Sequence, residues 1–140
     1  MEASLDDAMN IGRAHRILVI EDEGHVAGFI RDALTEIGYA VTVAAGGADA
    51  LNKVTDDAPD LVLLDLNLPD MPGFEVLDRL RARSPALPVV IVSGNTDPMM
   101  AEAALALGAV DYVTKPVTLD RLSEAVAAAL RLRSELVRKK

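Results

Sequence analysis

One short stretch, residues 61–73, constrains the fold of this chain more than any other. It opens with four apolar residues, Leu-Val-Leu-Leu, a pattern typical of a strand buried on both faces of a parallel sheet. The strand stops at a carboxylate, Asp65, after which Pro69, Pro72 and Gly73 force a loop. Open α/β sheets place their sites at the carboxyl ends of strands, so Asp65 is the first candidate functional residue.

Apolar strands and helical segments alternate along the rest of the chain. Strands are predicted at residues 16–20, 39–44, 61–64, 89–92 and 111–114, and helices at about residues 24–37, 48–54, 74–82, 95–108 and from 118 onward. This alternation predicts an α/β fold with helices on both faces of a parallel sheet. Among the topologies that right-handed crossovers allow, we expect the flavodoxin-like, doubly wound (βα)5 arrangement with strand order 2-1-3-4-5.

Apolar residues at helical spacing predict which helix faces are buried. In the first helix the predicted set is Val26, Phe29, Ile30, Ala33, Leu34 and Ile37. The last helix carries two stripes: one expected to pack on the sheet, with Leu119, Leu122, Val126, Leu130 and Val137, and a second with Ala125, Ala129, Leu132 and Leu136. The second stripe predicts either a partner helix or a surface on which small alanines are harmless.

Composition limits the classes of protein that this chain can belong to. Its 140 residues fit one domain, and 51% hydrophobic with 26% charged residues is ordinary for a globular protein. The absence of cysteine excludes disulfides, thiolate metal sites and a cysteine nucleophile. Because no apolar stretch has membrane-span length and the N-terminus lacks a secretory pattern, we expect a cytoplasmic protein without a membrane partner. A net charge of −8 argues against direct binding of nucleic acid.

Polar residues follow four of the five predicted strands: Glu21 with Asp22, then Asp65, Ser93 and Lys115. The carboxyl ends of parallel strands lie on one edge of the sheet, so these groups should converge. Three carboxylates so close repel one another and need a cation, and an all-oxygen ligand set suits Mg²⁺ or Mn²⁺. A metal beside a lysine and a hydroxyl suits a phosphoryl group, which a carboxylate can itself accept.

On these residues the chain resembles a response-regulator receiver domain of two-component signalling, of the single-domain, chemotaxis-regulator-like kind. The resemblance covers roughly residues 16–132. Five motifs carry it, each at its own strand end: Ile20-Glu21-Asp22-Glu23, the block Asp65 to Gly73, Val92-Ser93-Gly94, Tyr112, and Lys115-Pro116. It implies that Asp65 is the phosphoacceptor and receives its phosphoryl group from a histidine kinase or a histidine phosphotransfer protein.

The resemblance also implies a role for each neighbouring residue. Glu21, Asp22, Asp65 and the backbone carbonyl of Asn67 would ligate Mg²⁺, with Glu21 standing where many members have aspartate. Lys115 would pair with a phosphoryl oxygen, and the Lys115–Pro116 bond would be cis. The switch residues would be Ser93, whose hydroxyl turns toward the phosphoryl group, and Tyr112, which moves inward behind it.

The expected function is therefore a phosphorylation-controlled switch. Phosphorylation would change the affinity of the surface of the last two helices and fifth strand for a downstream protein or a homodimer mate. Because the output would be binding, we do not expect the protein to be an enzyme in the usual sense, although the domain would catalyse its own phosphoryl transfer and autodephosphorylation.

The sequence also predicts a division of the chain. Residues 1–15 are predicted as a flexible extension, 16–132 as the receiver domain, and 133–140 as a helix extension with a basic tail.

Three other functions remain open from the sequence. A Mg²⁺-dependent phosphohydrolase with an aspartyl nucleophile would want an acid two residues after Asp65, where this chain has Asn67. A flavin or nucleotide binder would want a phosphate-binding loop after the first strand, where three acids stand instead. An unphosphorylated, receiver-like scaffold is the third. Single residues also have plainer interpretations, since Ser93 or Asn95 could simply cap the following helix and Tyr112 could be a fixed aromatic.

Overall fold

The structure, a computed structural model, describes residues 14–138, with side chains as far as residue 135. Strands and helices alternate in the order β1 (Arg16–Ile20), α1 (Gly24–Ile37), β2 (Ala40–Ala44), α2 (Gly47–Asp57), β3 (Leu61–Leu64), α3 (Gly73–Arg83), β4 (Val89–Ser93), α4 (Pro98–Ala106), β5 (Asp111–Thr114) and α5 (Leu119–Arg138). All pairings are parallel, in the order β2-β1-β3-β4-β5. The predicted fold and strand order are confirmed.

The register of the sheet brings the carboxyl ends of its strands to one level. Ile20 of β1 lies opposite Leu64 of β3, and Ser93 of β4 lies opposite Thr114 of β5. The residue that follows each of β1, β3 and β5 therefore leaves the sheet at the same edge as Ser93. This alignment is what gathers the polar residues predicted at the strand ends.

Two apolar cores sandwich the sheet because successive strand residues point to opposite faces. In β1, Leu18 and Ile20 pack with α2, α3 and α4, whereas Ile17 and Val19 pack with α1 and α5. The central strands β3 and β4 are buried along their whole length. Each fully buried leucine or isoleucine contributes about 1.5–3 kcal/mol, so the sheet is a firm support for the loops at its edge.

In α1, two of the residues predicted to be buried are not. Ala27, Ile30 and Leu34 face the sheet, but Phe29 and Ile37 are each 46% exposed. Phe29 lies about 100° around the helix from Ile30, beyond the width that the sheet covers. Ile37 is the last residue of the helix, at the start of the turn made by Gly38, whose φ of 123° favours glycine.

The two predicted stripes of α5 are in fact one broad buried face. Its members are Leu122, Ala125, Val126, Ala129 and Leu130. The separate second stripe was therefore wrong for Ala125 and Ala129, because alanine lets the helix approach the sheet closely. Leu119, predicted to pack, is 50% exposed, and Leu132 is 37% exposed. The side chains of Leu136 and Val137 lie outside the described residues.

Caps explain where the last two helices begin. Asp97, rather than Asn95 or Ser93, is the N-cap of α4, and its carboxylate accepts a hydrogen bond from the amide of Met99 at 2.9 Å. Thr118 caps α5 as predicted, accepting from the amide of Arg121 at 3.2 Å.

Across residues 14–138, no helix has the length and hydropathy that crossing a membrane requires. The predicted extension of residues 1–15 lies outside the described part except for residues 14 and 15, as do the last two residues of the predicted tail.

Candidate phosphoacceptor site

The structure brings the predicted acids together at the carboxyl edge of the sheet. Glu21 and Asp65 are buried directly after β1 and β3, and Asp22 beside them is exposed. One carboxylate oxygen from each of the three lies within 4.8 Å of the others. The carboxylate of Asp65 also accepts a hydrogen bond from the amide of Asn67, at 3.1 Å, which fixes the first turn of the following loop.

Lys115 reaches into this acidic cluster from the end of β5. Its Nζ lies 2.7 Å from Oε1 of Glu21 and 3.3 Å from Oδ2 of Asp65. The backbone amide of Lys115 donates to the carbonyl of Ser93 at 2.8 Å, and the Lys115–Pro116 bond is cis, as predicted. One ammonium group therefore faces two buried carboxylates.

Burial determines the pKa of Glu21 and affects that of Lys115. It raises the pKa of Glu21 to about 7, and the Asp65 carboxylate reinforces that shift against the opposing effect of Lys115. Burial acts to lower the pKa of Lys115, but the nearby Glu21 and Asp65 carboxylates outweigh it and leave that pKa raised. The site as it stands holds more negative charge than a single ammonium can compensate.

The cluster fits a hard divalent cation. Its donors are all oxygen, and the ammonium of Lys115, 2.7 Å away, holds the buried Oε1 of Glu21. Two buried carboxylates that share one ammonium, with the exposed carboxylate of Asp22 beside them, suit Mg²⁺, which keeps part of its water shell. The structure places Asn67, the fourth predicted ligand, in the loop two residues after Asp65.

Ser93 and Tyr112 both bind the backbone of one residue, Asn95. The buried Ser93 hydroxyl accepts a hydrogen bond from the amide of Asn95 at 3.1 Å, and the Tyr112 hydroxyl donates to the carbonyl of Asn95 at 2.7 Å. Asn95 in turn accepts from the amide of Asp97 at 2.9 Å. The two predicted switch residues are thus joined through the β4–α4 connection, a link that their positions in the sequence do not reveal.

Two close approaches in the β3–α3 loop were not anticipated. A Cβ atom on Gly73 would lie 2.5 Å from Cα of Leu66 and 2.8 Å from the carbonyl oxygen of Asp65, so glycine lets α3 begin directly against the site. Asp70 accepts hydrogen bonds from the amides of Gly47 and Ala48 in α2. The signal in the sequence was Gly46-Gly47 at a helix start, where no local side chain can serve as a cap.

Comparison with known proteins places this geometry in a family. The family model for the response regulator receiver domain matches residues 17–127. The transcriptional regulatory protein KdpE of Mycobacterium tuberculosis is 44% identical over 115 residues, covering 82% of this chain and 50% of KdpE. The regulatory protein AtoC of Escherichia coli is 36% identical over 120 residues, covering 86% of this chain and 26% of AtoC. The chain thus spans half or less of the length of these relatives.

Solved structures agree in fold and extent. A CheY-like receiver domain protein from Methanospirillum hungatei superposes with a TM-score of 0.82 at 29% identity, over 87% of this chain and 98% of the other. The signal receiver domain of a LuxO repressor protein from Vibrio parahaemolyticus gives 0.84 at 30% identity, over 91% and 98%. A complete sheet of this topology with these acids at its edge, and a family match over most of its length, show that the chain belongs to the response regulator receiver domains, the phosphorylation-dependent modules of two-component signalling.

Proposed function

We propose that Asp65 accepts a phosphoryl group from a histidine kinase or a histidine phosphotransfer protein in a Mg²⁺-dependent reaction. The observation that carries this proposal is the buried Asp65 carboxylate, held at the sheet edge between Glu21, Asp22 and the ammonium of Lys115. A buried acid beside two others is costly, and it makes chemical sense where a cation and a phosphoryl group are to be bound.

The chemistry follows from the groups in place. An oxygen of Asp65 attacks phosphorus, and the O–P bond forms as the N–P bond of phosphohistidine breaks; the leaving imidazole keeps the electron pair and takes up a proton. Bound Mg²⁺ would supply positive charge to the phosphoryl oxygens. Lys115, already 3.3 Å from Asp65, supplies the second charge. Attack by water on the acyl phosphate then releases inorganic phosphate and restores the Asp65 carboxylate. The domain thus catalyses its own dephosphorylation and acts on no substrate other than its phosphoryl donor.

The hydroxyl groups of Ser93 and Tyr112 connect the reaction to the surface of the domain. If the Ser93 hydroxyl turns toward a phosphoryl oxygen, it gives up the amide of Asn95 and loosens the residue whose carbonyl accepts from Tyr112. Phosphorylation then favours a second arrangement of α4, β5 and α5, with altered affinity for a downstream protein or a second copy of the chain. The phosphoryl group must prefer one arrangement by a differential free energy, or nothing switches.

The compartment in which the domain works follows from the source of its phosphoryl group. A phosphoryl group that a kinase draws from ATP is available in the cytoplasm, where we propose that the domain works. Names of relatives such as KdpE refer to transcriptional regulation by the whole relative. For the present chain, the net charge of −8 favours a protein partner over direct contact with nucleic acid.

Intact-mass spectrometry after incubation with acetyl phosphate and Mg²⁺ tests the proposal. We expect one phosphoryl adduct in the wild type and in Asp78→Asn, which removes an exposed aspartate of α3, but none in Asp65→Asn or without Mg²⁺. A wild type that binds Mg²⁺ yet takes up no phosphoryl group would be a scaffold. Continuous, Asp65-dependent phosphate release from simple phosphoesters would instead identify a phosphohydrolase.

A further inference from the structure

Asp70 ties the β3–α3 loop to the start of α2, the helix that packs beside α3 on the same face of the sheet. Its Oδ1 accepts a hydrogen bond from the amide of Gly47 at 2.8 Å, and its Oδ2 accepts from the amide of Ala48 at 3.0 Å. Both amides belong to the first turn of α2, which has no cap of its own because the N-cap residue is Gly46. These two donors lower the pKa of the Asp70 carboxyl, which shows that they favour its charged form.

Gly46 makes room for this contact. A Cβ atom at Gly46 would lie 2.9 Å from Oδ1 of Asp70, closer than real Cβ atoms approach. The backbone of Gly46, with φ −153° and ψ 170°, is extended and open to any residue. A side chain at position 46 would therefore displace the carboxylate of Asp70, although the backbone there would accept it.

The contact acts on the loop that carries the fourth predicted metal ligand. At its base, the amide of Gly73 donates to the carbonyl of Leu66 at 3.0 Å. Near its tip, Asp70 holds it against α2. Asn67 lies between these two points, and its own amide bonds to Asp65. A loop pinned at both places has little conformational freedom left to lose when a ligand binds.

We infer that Asp70 is a positioning residue, which holds the β3–α3 loop in the arrangement that lets the carbonyl of Asn67 join Glu21, Asp22 and Asp65 around Mg²⁺. The inference rests on the proposed function, because it takes that edge of the sheet as the metal site. Groups that orient a ligand without touching the metal typically change metal affinity about tenfold or more when removed.

Three variants separate this role from simple capping of α2. Asp70→Ala removes the contact, and Gly46→Ala displaces Asp70 without changing the charge. The double variant Asp70→Ala with Gly46→Asn puts a local cap on α2, since position 46 already has N-cap geometry, but leaves the loop untied. The probe is Mg²⁺ alone, and its dissociation constant is measured by titration of backbone amide signals in NMR spectra. Thermal unfolding of each variant is measured in parallel.

We expect Mg²⁺ to bind about tenfold more weakly in all three variants, while the double variant regains most of the thermal stability lost in Asp70→Ala. Asp97→Ala is the matched control, because Asp97 caps α4 at the same sheet edge and shows no hydrogen bond to the β3–α3 loop. It should lose stability and bind Mg²⁺ as the wild type does.

Each other outcome overturns the inference. If the double variant regains Mg²⁺ affinity together with stability, Asp70 only caps α2. If Asp70→Ala and Gly46→Ala bind Mg²⁺ as the wild type does, the loop needs no tie. If Asp97→Ala loses as much Mg²⁺ affinity as Asp70→Ala, the effect comes from the lost charge or the lost helix cap. A wild type that binds no Mg²⁺ would instead remove the metal site on which the proposed function depends, which distinguishes the two failures.

Discussion

At the scale of single residues, Lys115 governs the charge balance of the site. Its ammonium lies 2.7 Å from one buried carboxylate and 3.3 Å from another. Breaking a fully buried ion pair by removing one partner costs about 3–5 kcal/mol. Here Glu21, whose pKa is about 7, can take up a proton instead, and this limits the cost.

We therefore expect Lys115→Met to lower the free energy of unfolding by about 1–3 kcal/mol in Mg²⁺-free buffer at neutral pH. Added Mg²⁺ should reduce the difference, because the cation replaces the lost charge. Urea denaturation with and without Mg²⁺ measures both effects. Arg79→Met is the control, since its pair with Glu75 is exposed and contributes little. Equal losses in the two variants would show that Lys115 stabilises no more than a surface ion pair.

The raised pKa of Glu21 makes metal affinity depend on pH. Mg²⁺ binds the carboxylate and not the carboxylic acid, so binding must displace the proton that Glu21 holds below about pH 7. We expect the Mg²⁺ dissociation constant to rise about tenfold when the pH is lowered from about 8 to about 6. NMR titrations at the two pH values measure it. In Glu21→Gln affinity should be weaker and the dependence much flatter, and a wild type without pH dependence would contradict a raised pKa.

At the scale of elements, the β4–α4 connection is built as a chain of local hydrogen bonds. Ser93, Asn95 and Asp97 each accept from the backbone amide two residues further on. Such bonds hold a short segment without packing it into a core. Tyr112 is the one tie among these contacts that comes from a different element, β5. Loss of that tie should free the connection and leave the sheet intact.

Tyr112→Phe removes only the hydroxyl that donates to Asn95. We expect faster hydrogen exchange at residues 94–97, a loss of about 0.5–1.5 kcal/mol in the free energy of unfolding, and an unchanged yield of Asp65 modification by acetyl phosphate. Hydrogen-exchange mass spectrometry and denaturant unfolding measure the first two. Tyr39→Phe, at the other tyrosine, whose ring lies 6.4 Å from that of His15 in a tilted arrangement, should leave residues 94–97 unchanged. Unchanged exchange in Tyr112→Phe would mean that the hydroxyl does not hold the connection.

What the sequence allowed us to predict divides by the range of the interaction. The sheet order and the strand-end acids were predictable, because apolar runs and their polar ends are local patterns. Phe29 and Ala125 were misplaced, because the width of a buried helix face depends on how closely the helix packs against the sheet, which the spacing of residues along the chain does not show. The contact between Asp70 and α2 joins residues 23 apart in the sequence, and no periodicity marks it.

At the scale of the whole molecule, a stable sheet carries a costly edge. Two apolar cores fix β1, β3 and β4, and the ends of β1 and β3 bring three carboxylates within 4.8 Å of one another. Folding therefore works against the repulsion at this edge, and a cation bound only by the folded state should return that free energy. Binding at a hundredfold excess over the dissociation constant stabilises a folded protein by about 2.7 kcal/mol.

The last prediction is that Mg²⁺ stabilises the whole domain through this edge. In the wild type, saturating Mg²⁺ should raise the free energy of unfolding by about 2–3 kcal/mol, and a chelator should reverse the gain. Asp22→Asn should lose most of the gain while folding normally, because Asp22 is exposed and packs in neither core. Glu23→Gln, an exposed acid of the same turn, should keep it. Both variants remove one negative charge, so equal responses to Mg²⁺ would mean that the ion acts on the general acidity of the surface. If only Asp22→Asn loses the stabilisation by Mg²⁺, the stability of the fold depends on one coordinated cation.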